Sequence, residues 1–176
     1  MISIVTTRYN NDTWEESVYY RNKYKIPCIY GSPLKMSPRI CLDSSVFVIE
    51  MNNTKNRIEG IGLIKNKSYM DRYYKIYQEG NYNRYIYKSN YHIFRDQLME
   101  HNEKMVRILD YILFKEKTHL KRGSGFTTIP EKILKLPICE NIDLKKELKE
   151  IFISILRREK DEWCCEPGLQ GLQPSQ

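Results

Sequence analysis

The chain contains no alanine. Alanine codons are GC-rich, and isoleucine, lysine, asparagine and tyrosine stand in its place. The bias therefore speaks of an AT-rich genome, such as that of a virus or a protist, more than of chemistry. No apolar run approaches the roughly 20 residues that span a bilayer, so no membrane partner is expected. The start, Met1-Ile2-Ser3-Ile4-Val5, lacks the basic segment and long apolar stretch of a signal peptide. An intracellular protein is expected, whether in cytoplasm, nucleus, virion or viral factory. Cys28, Cys41, Cys139, Cys164 and Cys165 form no C-x2-C pair, and His92, His101 and His119 sit at no ligand spacing. Free thiols and no metal site are expected.

Catalytic signatures are equally scarce. There is no G-x-S-x-G elbow and no Walker lysine. Gly60-x-Gly62 lacks the third glycine of a dinucleotide loop and lies within a strand-like run rather than at a strand-to-helix turn. Asp43, Glu50 and Glu59 with Lys55 would be the carboxylate–lysine set of a metal-dependent nuclease, but Lys55 falls in a polar turn where a solvated role is expected. No catalytic residue and no cofactor are assigned.

What remains is charge and tyrosine. With 29 Lys and Arg against 22 Asp and Glu the net charge is +7, which favours polyanionic partners. Between Tyr69 and Tyr91 lie eight of the fourteen tyrosines, interleaved with Arg72, Lys75, Arg84 and Lys88. Flat rings can stack on bases while cations follow a phosphate backbone. The same rings also suit a pleated, half-buried sheet.

Along the chain, residues 2–7 alternate as a strand, and Asp12 or Thr13 caps a helix to about Tyr24 with Glu15 or Glu16 as reciprocal partner. Cys28-Ile29-Tyr30 reads as a short strand before a loop rich in Gly, Ser and Pro. Val46–Met51 and Ile58–Ile64, joined by the polar residues 52–57, read as a hairpin whose glycines permit a bulge or close backbone approach. Tyr69–Glu79 is a helix or an irregular, exposed segment, and Arg84–Phe94 a long strand. Leu98, Met105, Leu109 and Ile112 form the stripe of a helix over 96–117. Thr128-x-x-Glu131 has capping-box spacing, and Asp143 caps a last helix carrying Leu144, Leu148, Ile151, Phe152 and Ile155 inward. Gly123-Ser124-Gly125 after Lys121-Arg122 exposes backbone N–H groups beside two cations, which suits a phosphate. From residue 164 the composition changes abruptly, and 164–176 is expected to be a disordered tail.

The order strand, capped helix, short strand, Pro/Ser loop, hairpin, long strand resembles the start of a PUA-like β-barrel, the superfamily of the EVE and YTH domains. Ile4-Val5-Thr6-Thr7-Arg8-Tyr9-Asn10 with Trp14, Lys25 to Pro33, and Val46 to Ile64 carry the likeness. It covers residues 2–95. The resemblance implies an α+β single domain over 1–163, with a twisted, barrel-like sheet flanked by helices. It also implies binding of RNA or DNA, with one base, often a modified one, held between aromatic walls. The chain departs in lacking the tryptophan that YTH domains place after the first helix, where Pro27 and Ile29 stand. Tyrosines are then the expected walls. The expected site comprises Trp14 and Tyr30 as stacking groups, Arg8, Asn10 and Ser32 reading the base edge, and Lys65, Lys67, Arg84, Lys88, Lys121 and Arg122 meeting phosphates. The rival expectations are a structural or assembly protein with a basic surface, and the nuclease.

Overall fold

A computed structural model describes residues 2–115, 117 and 119–164, with side chains as far as Ile155. The tail expected at 164–176 lies outside the described residues from 165 onward. Strand β1 (Ser3–Tyr9) enters helix α1 (Asn11–Tyr24), then β2 (Cys28–Ser32), β3 (Ser45–Asn52) and β4 (Arg57–Lys65). After an irregular segment come β5 (Tyr85–Ser89), β6 (Tyr91–Phe94), α2 (Arg95–Phe114), β7 (Thr127–Thr128), α3 (Glu131–Leu134) and α4 (Leu144–Cys164).

The five-stranded sheet has the order β6-β4-β3-β1-β7. Its β1 and β3 run parallel, Thr6 opposite Ile49, because α1 and β2 return the chain between them. The β3–β4 hairpin is antiparallel, with an irregularity between Glu50 and Met51, the bulge that the strand glycines anticipate. Asn52 holds the turn by accepting from the Thr54 and Lys55 amides.

Alternation along β3 covers both faces of this sheet. Phe47, Ile49 and Met51 join Ile4, Ile61 and Ile93 beneath α2 and α4. Val46 and Val48 turn the other way, onto Cys28, Tyr30 and Tyr87 of β2 and β5. A third cluster gathers Tyr9, Tyr20, Ile29, Tyr74, Ile76, Tyr77 and Ile86 beside α1. Leu98, Met105, Leu109 and Ile112, the stripe expected to face inward from α2, are all buried. The helix breaks its geometry at Asn102 (φ −156°, ψ 79°), where the side chain caps the Met105 amide and donates to Glu147 of α4.

Four local expectations are corrected, and so is the barrel. Asn10, not Asp12 or Thr13, caps α1. Its Oδ1 accepts from the Thr13 amide at 2.8 Å while Thr13 Oγ1 accepts from the Asn10 amide at 3.0 Å, so Thr13 replaces a glutamate as reciprocal partner. Thr127–Thr128 pairs with β1 instead of capping, and α3 has no side-chain cap. Tyr69–Glu79 takes the irregular of its two expected forms, but its middle is not exposed. Tyr74 and Tyr77 are buried, and Asn83 ties the backbone by accepting from the Ile76 and Tyr77 amides. The long strand breaks at Asn90, so β5 pairs with β2 and β6 with β4. The fold is α+β, but no closed barrel forms among the described residues. Among the described residues, strand β2 pairs with β5 alone and β7 with β1 alone.

Candidate functional site

At the C-terminal end of β1 the chain turns into α1, and a cavity of about 270 Å³ opens there. Its lining comes from five places: β1 and the start of α1 (Thr7 to Asn10, Thr13), Gly31 of β2, the hairpin turn (Asn53), the irregular segment (Tyr77, Tyr82) and the loop Gly123–Gly125. That size lies at the lower end of small-molecule sites, roughly 300 Å³, and suits one heterocycle rather than two.

Glycine makes the assembly possible. A Cβ on Gly31 would collide with the Tyr82 carbonyl and stand 3.0 Å from the Tyr77 ring. Only a bare backbone lets the Gly80–Asn83 turn close over β2. Gly123 and Gly125 take φ of +110° and +66°, values that side chains disfavour. Their loop thereby comes down onto Arg8. Arg8 Nε donates to the Leu120 carbonyl and Nη1 to Gly125 O at 3.4 Å. Its Nη2 is buried with no partner among the described residues. Asn53 donates to Lys121 O at 2.8 Å, which fixes its amide orientation and leaves a buried, unpartnered Oδ1. Two residues that line the same cavity therefore carry one donor and one acceptor that are buried and unsatisfied. Buried polar groups are nearly always paired, so this pair is suited to a polar, planar ligand.

The aromatic wall rests on a buried ionic network. Tyr9 lies 5.2 Å edge-on from Trp14 and 6.5 Å from Tyr77, and Tyr77 meets Tyr82 at 6.2 Å. Behind Trp14 stands the Arg21 guanidinium, 5.7 Å above the indole and 5.4 Å from the Tyr30 ring. Arg21 donates to Glu50 at 2.6 Å, Tyr30 donates to the same oxygen at 2.9 Å, and His92 Nε2 meets the second oxygen at 2.9 Å. The dents that admit them are Gly60 and Gly62. A Cβ at Gly60 would sit 2.9 Å from Glu50 Oε2, and one at Gly62 would strike the Tyr30 hydroxyl. Burial alone would push the Glu50 carboxyl up, but Arg21 and His92 overcome it and hold the group down at about 2. Burial raises the Cys28 thiol to about 11, so it is no nucleophile at neutral pH.

Comparison with protein-family models, curated proteins and solved structures found no match. The pocket must be read from its own geometry.

Of the residues expected at the site, Arg8 and Asn10 line the pocket. Asn10 uses its amide oxygen as the α1 cap. Trp14 stands one ring behind, against Tyr9. Tyr30 is fully buried with its hydroxyl on Glu50, so no face is open for stacking. Ser32 is buried too, its hydroxyl bonded to Leu34 O. Lys121 and Arg122 flank the pocket through the Gly123–Gly125 loop, Lys121 reaching Asn56 Oδ1 at 2.6 Å. Arg84 is exposed immediately after the Tyr82 turn, over Tyr85. Lys88 lies over the Tyr69 and Tyr74 rings, 3.7 Å from Asp71. Lys65 and Lys67 are not brought to the site. Lys65 pairs with Ser45, at the far end of β3 from Asn52, roughly 20 Å away at the strand rise per residue.

The nuclease set is not assembled. Asp43 is exposed, Glu50 is locked in its ion pair, and Glu59 is held by Asn52 and Arg57. No group of three metal-ligating side chains forms among the described residues. Tyr77 and Tyr82 belong to the tyrosine-rich stretch that the sequence singles out, whereas Tyr9 and Asn53 have no sequence signal of their own as site residues, because separated segments meet only in the folded chain. Gly60-x-Gly62 did carry a usable signal: glycine within a strand marks a close approach, here of Tyr30 and Glu50.

Proposed function

We propose that this chain is a non-enzymatic nucleic-acid-binding protein that seats one base in the pocket between Arg8, Asn53, Tyr77 and Tyr82. The observation that supports this reading is the pair of buried, unsatisfied groups, Arg8 Nη2 and Asn53 Oδ1, carried by two residues that line one base-sized cavity. A base edge presents acceptors and donors together, and would satisfy both. Tyr82, which is 37% exposed, offers a ring at the mouth, and base–aromatic stacking contributes about 1–3 kcal/mol per base. Lys121, Arg122 and Arg84 flank the mouth and would meet phosphates. On this reading the chain is a PUA-like binder whose sheet stays open and whose aromatic walls are tyrosines.

Titrating labelled RNA and DNA homopolymers over a salt series tests it. Micromolar or tighter binding at low salt is expected, weakened about tenfold or more by Arg8→Ala and by Tyr82→Ala. Undetectable binding at low salt overturns the proposal. Binding that ignores both substitutions and base identity would favour the rival, a basic assembly surface without a base pocket.

A further inference from the structure

A second cavity, of about 240 Å³, lies between the outer face of α1 and the segment 75–78. Tyr77 lines both cavities, which places them next to each other. Around the second stand Tyr19, Tyr20, Lys23, Tyr24 and Lys75. Tyr19 is 65% and Tyr24 46% exposed, so both rings reach the surface beside the cavity. Tyr20 and Tyr24 lie 4.4 Å apart between centroids. The Lys23 ammonium sits 5.5 Å from both the Tyr19 and the Tyr24 ring. Glu16, the carboxylate in this lining, accepts from the Gln78 amide at 3.3 Å. With Lys23 and Lys75 against Glu16, the lining carries one net positive charge.

Resting on the base-pocket reading, we propose that this groove is a second nucleotide subsite, taking the neighbour of the base held at Arg8 on the same single strand. Exposed rings with interleaved cations match what single strands require: π-faces for bases and point charges for phosphates. Lys23 is a removable cover. An exposed cation–π contact is weak, so a phosphate draws the ammonium away and opens a ring face to the incoming base. The groove continues the pocket across Tyr77, so the strand runs along α1 rather than across the sheet toward Lys65.

The test compares a mononucleotide, a dinucleotide and a longer homopolymer by fluorescence anisotropy on the whole chain at low salt. The second nucleotide is expected to raise wild-type affinity about tenfold. Tyr19→Ser with Tyr24→Ser should abolish that gain and leave mononucleotide affinity unchanged, and Lys75→Ser should lower the salt dependence of the dinucleotide only. All three side chains are exposed, and an unchanged melting temperature verifies the fold. If wild type gains nothing from the second nucleotide, or the double variant keeps the gain, the subsite is overturned while the base pocket stands. If no mononucleotide or oligonucleotide binds wild type, the pocket reading fails and this inference falls with it.

Discussion

Arg21 donates to Glu50 at 2.6 Å while both side chains are almost wholly buried, 3% and 0% exposed. The pair joins α1 to β3, and its guanidinium backs the Trp14–Tyr9 wall of the pocket. Removing one partner of such a pair strands the other charge in a low dielectric. Glu50→Gln is therefore expected to destabilise the fold by about 3–5 kcal/mol, measured by urea denaturation. A loss below about 1 kcal/mol would mean that Arg21 reaches solvent.

The same pair sets an acid limit. Glu50 has an ordinary value of 4.5 and is held near 2 in the fold. A depressed carboxylate stabilises the folded state fully above its unfolded value, and the contribution disappears as pH falls from about 4.5 toward 2. Thermal melting of wild type should drop steeply through that window. Glu50→Gln should show a shallower drop there.

Gly31 decides whether the pocket closes. In Gly31→Ala the new methyl meets the Tyr82 carbonyl, a backbone atom that cannot swing aside. The expected cost is about 1–3 kcal/mol, with the Tyr82 turn displaced and base preference lost. Equal affinities for all homopolymers, in a variant still folded by circular dichroism, would be the signature.

Tyr30 separates support from contact. Tyr30→Phe removes the hydroxyl bonded to Glu50 and should cost about 1.5–3 kcal/mol of stability, the value of a bond to a charged group. Nucleic-acid affinity should stay within about twofold. An affinity loss matching that of Arg8→Ala would place Tyr30 at the ligand.

Position on the sheet divides the lysines and arginines. Arg122→Ser, beside the pocket loop, should reduce the slope of log affinity against log salt by about 0.7, one single-strand phosphate contact. Lys65→Ser, at the opposite end of β3, should leave the slope unchanged.

Much of the architecture was legible because local rules and tertiary packing agree. The period-2 runs of the β3–β4 hairpin and the apolar stripes of α2 and α4 point toward the same core that the fold builds. Where two side chains compete for one local task the reading slipped. Asn10 outcompetes Asp12 and Thr13 as cap because its β-region backbone and short amide reach the Thr13 amide directly. The tyrosine-rich segment shows the opposite difficulty. Its rings carry no period that separates core from surface, and Asn83, not a helix, decides that Tyr74 and Tyr77 turn inward while Tyr73 stays 70% exposed.

By itself the sequence determined the α+β class, the hairpin, the two long helices and a basic, tyrosine-rich chain, since periodicity, capping and charge are local properties. It also marked Arg8 and Asn10, at a strand end entering a helix. Only the tertiary structure decided that the sheet stays open, that Tyr30 is covered while Tyr82 faces the pocket, and that Lys65 lies far from Arg122. Those outcomes depend on where Gly31, Gly62 and Gly125 let distant backbone and side chains approach, and no local pattern encodes the distance between two segments that meet only after folding.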